Sequence, residues 1–159
     1  MELAIGLARA NIEHGTGGPF GAAVFESESG KLVSVGMNLV VSNHNTTLHA
    51  EMVAFMMAGQ RLSSYTLGAD GMPAYELVAS CDPCAMCLGA MLWSGVRRVV
   101  CGAAREDAWR LGFEEGPVFS ASYRYLEDRG IEFVREVLRA EAADVLRAYR
   151  ERGGRIYNA

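Results

Sequence analysis

Apolar residues change their spacing from segment to segment along this chain, and each spacing predicts an element. Leu3, Ile5, Leu7, Ala8 and Ile12 recur as on a helix over residues 3–12, which His14-Gly15 and Gly17-Gly18-Pro19 then end. Residues 20–25 and 32–37 are short strand-like runs separated by Ser27-Glu28-Ser29-Gly30, the pattern of a hairpin. Residues 42–47 form a polar loop. Over residues 51–61 Met52, Val53, Phe55, Met56 and Met57 make the next helix apolar nearly all round, which predicts burial between layers. A turn-rich connection at 63–73 leads to a strand at 74–79 and an apolar helix at 84–94, stopped by Gly95. A strand at 98–102 follows, then a short helix at 105–111 and a Gly/Pro-containing excursion at 112–122. A last strand at 131–134 and a terminal helix at 138–152 complete the pattern.

A helix, a hairpin and then alternating strands and helices predict an α/β fold. The expected architecture is a three-layer α/β/α sandwich around a five-stranded mixed sheet. The runs at 96–102 and 131–134, joined by a helix-containing connection, are far enough apart for a parallel crossover. Sites in such sheets gather at strand ends and helix N-termini. With 159 residues the chain has room for one core. Residues 1–159 therefore read as a single domain, with a tail from residue 153 onward.

Charge and cysteine usage narrow the partners. The formal net charge is −4, and basic residues of the last third alternate with acids, as in Arg135-Glu136 and Glu151-Arg152. Nucleic-acid docking normally shows a basic stripe, so a small-molecule substrate is expected and no nucleic-acid partner. No run of about 18 apolar residues exists, so no membrane span is expected. Cys81, Cys84, Cys87 and Cys101 are too few for a disulfide scaffold. Three of them crowd together, which suits metal binding in a reducing compartment and predicts a cytoplasmic location.

The chemistry concentrates in His49-Ala50-Glu51 and Pro83-Cys84-Ala85-Met86-Cys87. His49, Cys84 and Cys87 supply three ligands for one zinc ion per chain, leaving the fourth tetrahedral position to water or hydroxide. Cys84 and Cys87 share one helical turn. The positive helix N-terminus favours their thiolates, and Pro83 suits the start of a helix. Within a regular helix residues 49 and 51 would point about 200° apart. They converge only at a helix end, so the motif predicts two helix N-termini meeting at the metal. Zinc can lower the pKa of bound water from 15.7 to about 7, and Glu51 is placed to take that proton and pass it on. The competing reading is a closed zinc staple in a non-enzymatic binding protein, with Cys81 as fourth ligand. Cys81 precedes Asp82-Pro83 and so ends a strand outside the turn, and a staple has no use for Glu51. Cys101 reads as a core thiol.

His-x-Glu paired with Pro-Cys-x-x-Cys is the signature of zinc-dependent nucleobase deaminases. Over almost its whole length the chain resembles the cytidine-deaminase-like superfamily, and within it most resembles the bacterial guanine deaminases. Besides the zinc motifs, the residues carrying the likeness include Gly18-Pro19-Phe20, Asn38, Trp93-Ser94-Gly95-Val96-Arg97, Gly112-Phe113-Glu114-Glu115-Gly116-Pro117 and Ile156-Tyr157-Asn158-Ala159. The resemblance implies hydrolysis of guanine to xanthine and ammonia, with amino-triazines such as ammeline also accepted by related enzymes. It implies that Asn38 hydrogen-bonds the purine and that Phe20 or Phe113 holds the ring plane. Glu115 would be a second acid, with Glu114 competing for that role. Tyr157 would close the pocket in a homodimer, exchange of the C-terminal segment between subunits being one way to bring it there. Taken alone, Asn38 reads as a turn residue, Glu114 and Glu115 as a solvated pair, and the two Phe as core. Two rivals share the zinc motifs: a tRNA adenosine deaminase, disfavoured by the charge, and a cytosine or other pyrimidine deaminase.

Overall fold

The computed structural model describes residues 1–158, so Ala159 of the tail motif lies outside the described residues. The elements are α1 (Glu2–Glu13), β1 (Gly21–Glu26), β2 (Leu32–Met37), α2 (Ala50–Leu62), β3 (Tyr75–Cys81) and α3 (Ala85–Ser94). They continue with β4 (Arg98–Ala103), α4 (Arg105–Trp109), α5 (Ser120–Glu127), β5 (Glu132–Val134) and α6 (Arg139–Glu151). The five strands lie in the order β2-β1-β3-β4-β5. β1 runs antiparallel to β2 and β3, while the β3–β4 and β4–β5 pairs are parallel. This is the mixed sheet and the parallel crossover that the pattern predicts.

Strand side chains alternate between the two faces. Val24, Leu77 and Val99 pack with Ala54 and Ala58 of α2 and with Leu88 and Met91 of α3. Val78 and Val100 pack with Ala4 of α1, and on that side Ile5 and Ala8 meet Val145 and Leu146 of α6. The Asp82 N–H donates to Ala103 O at 2.8 Å, tying the chain just past β3 to the end of β4. No helix among the described residues is long and apolar enough to cross a membrane.

Two expectations need correction. α2 is not buried all round: Ala50, Glu51, Ala54 and Ala58 face inward, while Met56 and Met57 are 45 % and 48 % exposed. Small residues four apart seat the helix on one sheet face, and among the described residues none covers Met56 and Met57 on its other side. The excursion at 112–122 also ends sooner than expected, because residues 120–127 form α5. Its only buried residues, Tyr123 and Leu126, are three apart, too short a stripe to stand out as a periodic run.

Gly36 fixes the seat of α2. A Cβ there would lie 2.1 Å from Ala50 O and 2.5 Å from Ala54 N. Overpacking of this kind costs about 1–3 kcal/mol, so Gly36→Ala should lower the melting temperature by several degrees in calorimetry. Because the displaced turn begins beside His49, metal affinity should weaken with it.

Candidate active site

His49 and Cys84 are the N-cap residues of α2 and α3, both in extended backbone (φ −67°, ψ 157° and φ −72°, ψ 172°). Neither side chain makes a capping hydrogen bond, which leaves the imidazole and the thiol free to face each other. Nδ1 of His49 lies 3.5 Å from Cys84 Sγ and 3.6 Å from Cys87 Sγ. Zinc bonds of about 2.3 Å to sulfur and about 2.0–2.1 Å to nitrogen, opened to a tetrahedral angle, separate N and S by about 3.6 Å. The two N–S edges therefore already have the length expected of a tetrahedral zinc site. Among the described residues no other Cys, His or carboxylate joins this cluster. Cys81 Sγ faces Ala104 O instead, at 3.9 Å, and Cys101 is buried in β4. The closed staple lacks its fourth ligand.

The local charges are tuned by one another. The Cys87 thiol, hydrogen-bonded to Cys84, holds the Cys84 thiol down to about 4, with His49 helping. The same bond, with burial, pushes Cys87 up. Burial alone would lower His49, but Cys84 and Glu51 outweigh it and raise the imidazole. Burial and the Cys84 charge raise Glu51. Glu115 is pushed up to about 8, by burial first and then by Cys84 and Glu51. It is therefore mostly protonated at neutral pH.

His49, Glu51, Cys84 and Glu115 line a small cavity that also takes in Phe20, Asn38, Asp82, Tyr157 and Asn158, with no Lys or Arg in its lining. Asn38 is fully buried. Its Oδ1 accepts from the Val40 N–H at 3.3 Å, while its Nδ2 has no partner. A buried donor left unmade is costly, and an acceptor on a ligand would remove the cost. Asn11 holds this corner by donating from Nδ2 to Gly18 O and Asn38 O, each at 2.8 Å. Gly18 lets Tyr157 come close: a Cβ there would lie 2.7 Å from the Tyr157 hydroxyl, so the ring would have to shift to admit one.

In the single chain the tail reaches the cavity, with Tyr157 and Asn158 in its lining. Asn158 Nδ2 donates to Glu114 O at 2.7 Å, and the Glu114 N–H donates back to Asn158 O at 3.3 Å. The Tyr157 ring lies 6.5 Å from His49 and 5.2 Å from Phe113, centre to centre. Glu114 and Glu115 part company here. Glu114 is exposed and its Oε1 accepts from the Gly116 N–H, whereas Glu115 is 6 % exposed and lines the cavity. Of the two expected ring holders only Phe20 lines the cavity; Phe113 is buried behind it, edge to face at 5.1 Å.

Spacing brings His49, Glu51, Cys84 and Cys87 together as expected, and the resemblance adds Asn38, Glu115, Phe20 and Tyr157 to the same cavity. Sequence reading missed Asn11, Asp82 and Asn158. Asn11 had a signal, a polar residue beside Ile12 on the apolar stripe of α1.

The sequence profile of the cytidine and deoxycytidylate deaminase zinc-binding region matches residues 1–103. The chain belongs to this family. Its fold and its metal-ligand residues are those of a zinc-dependent aminohydrolase of this deaminase family. The guanine deaminase of Bacillus subtilis is 33% identical over 138 residues, 87% of this chain and 84% of the relative. A tRNA-specific adenosine deaminase from Buchnera aphidicola is 30% identical over 146 residues, 92% of this chain and 88% of the relative. Among solved structures, a guanine deaminase from Nitrosomonas europaea superposes with TM-score 0.91 at 45% identity, covering 94% of this deaminase and 82% of that chain. A complex with 2,6-diaminopurine superposes with TM-score 0.93 at 46% identity, covering 99% and 82%.

Proposed function

We propose that this deaminase hydrolyses a free purine base, guanine to xanthine and ammonia, and that its scope extends to amino-triazines such as ammeline. The observation that carries this reading is the small, tail-capped cavity. Beside Glu51, Glu115 and the His49 and Cys84 side chains it presents two unpartnered amide atoms, the donor Asn38 Nδ2 and the acceptor Asn158 Oδ1. A base still attached to a polynucleotide needs an open rim, and Tyr157 and Asn158 lie across this one. Several arginines near α4 and α6 are also paired with acids: Arg110 and Arg139 with Asp107, and Arg147 with Asp144.

His49, Cys84 and Cys87 would hold one zinc, which when bound acts as a Lewis acid that makes water a nucleophile near neutral pH. Asn38 Nδ2 donates to a ring acceptor and Phe20 packs against the base, fixing the amino-bearing carbon over the centre. Glu51 takes a proton from the attacking water and delivers it to the adjacent ring nitrogen. The C–N bond then breaks as Glu115, protonated at neutral pH, gives its proton to the departing amine. The new hydroxyl returns a proton to the carboxylates, so water and guanine become xanthine and ammonia with nothing left over. Met56 and Met57, with Trp93 at 77 % exposure, leave apolar surface open on α2 and α3. That supports a homodimer. Four free cysteines fit a cytoplasmic setting.

Ammonia release from guanine, adenine, cytosine, guanosine, ammeline and tRNA tests the reading. Guanine should be turned over fastest, ammeline more slowly, and tRNA not at all. Inert guanine beside a reactive tRNA or cytosine would sink it.

A further inference from the structure

Arg105 opens α4 at the same end of the sheet as the metal-ligand residues, yet it does not line the cavity. Its backbone N–H donates to Asp82 Oδ2 at 3.3 Å. The Asp82 side chain has no exposure, and Arg135 grips it with Nε at 3.0 Å from Oδ1 and with Nη2 on Oδ2. One end of Arg105 is thereby fixed to the turn that presents Cys84. The guanidinium reaches the other way: Nη1 donates to Val118 O, and the group lies 4.8 Å from the centre of the Trp109 ring. Val118 is three residues past Glu115, and its own N–H donates to Gly116 O at 2.8 Å. The Ala85 N–H donates to Glu115 O at 2.9 Å. The contacts therefore close a ring from Cys84 through Ala85, Glu115, Val118, Arg105 and Asp82 back to Cys84.

We propose that Arg105 is a positioning residue for Glu115. It braces the 115–118 loop against the Cys84 turn, so that the Glu115 carboxyl group keeps its place relative to the metal ligands. The inference rests on the reading of Glu115 as the second acid. An ordinary surface arginine would be replaceable at little cost; this one spans two loops that both carry site residues. A small shift of a reacting group costs turnover steeply, about 100-fold for 1 Å.

The test uses the zinc-loaded protein. Arg105→Met keeps an unbranched aliphatic side chain and removes every side-chain donor, and Arg105→Lys restores one charged donor. Arg105→Met should lower kcat about tenfold or more with KM little changed, at unchanged zinc content and melting temperature. Arg105→Lys should recover part of the loss. Glu115→Gln alone should be strongly impaired, and adding Arg105→Met to it should cost nothing further, as for two residues acting as one unit. Hydrogen exchange gives a second reading: amides at 115–118 should exchange faster in Arg105→Met, with or without zinc. Equal losses in both backgrounds, unchanged exchange, or zinc loss in step with turnover would overturn the brace. Full turnover by Glu115→Gln alone would overturn the second-acid reading and the brace with it. Should Arg105→Met not fold, Arg105→Lys carries the same comparisons.

Discussion

Glu51→Gln should keep one zinc per chain and an unchanged melting transition while turnover falls about 1,000-fold or more, within the range a positioned proton carrier contributes. The substitution keeps size and shape, so the cavity loses only its ability to move a proton. Glu51 is 8 % exposed and its carboxyl group is raised by burial, so a neutral amide should be tolerated there. The measurements are steady-state ammonia release, metal content by elemental analysis and thermal unfolding. A variant that keeps zinc and more than a tenth of the wild-type rate would remove Glu51 from the proton path. A variant that loses zinc would mean that the carboxylate supports the ligands instead.

Cys84→Ala should abolish activity by a different route. Changes to residues that merely support metal ligands cost about 10–100-fold in affinity, so deleting a ligand should cost more than that. Zinc content should drop far below one per chain, and no turnover should be detected. The fold should survive, because apart from Cys84 and Cys87 the clusters on both faces of the sheet are built from apolar side chains that are not metal ligands. A ligand that binds only the folded state stabilises it, so a strong chelator should lower the wild-type melting temperature. It should leave that of Cys84→Ala unchanged. Collapse of the cooperative transition in the variant would restore the staple reading that Glu51 argues against.

The elements that sequence made legible are those governed by local spacing. Strands β1 to β4 and the long helices follow from runs of apolar residues, and the metal-ligand set follows from one-residue and two-residue gaps. Even the meeting of two helix N-termini is forced, since His49 and Glu51 cannot otherwise converge. What stayed hidden depends on residues far apart in the chain. Arg135 meets Asp82 across 53 positions and Asn11 meets Asn38 across 27, and no period encodes such pairs. The open face of α2 was misread for a related reason. Met56 and Met57 look like core by composition, and only the seating on Gly36 decides which way they turn. Glu114 and Glu115 were separable only once the tail's pairing with Glu114 was visible.

The acidic lining bears on how a catalytic cycle ends. Converting an amino group to a second carbonyl makes the heterocycle a stronger acid, so the product gives up a proton more readily than the substrate did. An anion formed beside Glu51 and Glu115 would find no lysine or arginine in the lining to hold it. Release should then be quick and end-product inhibition weak, and a phosphorylated nucleotide would likewise find no cationic side chain in the lining to pair with its phosphate.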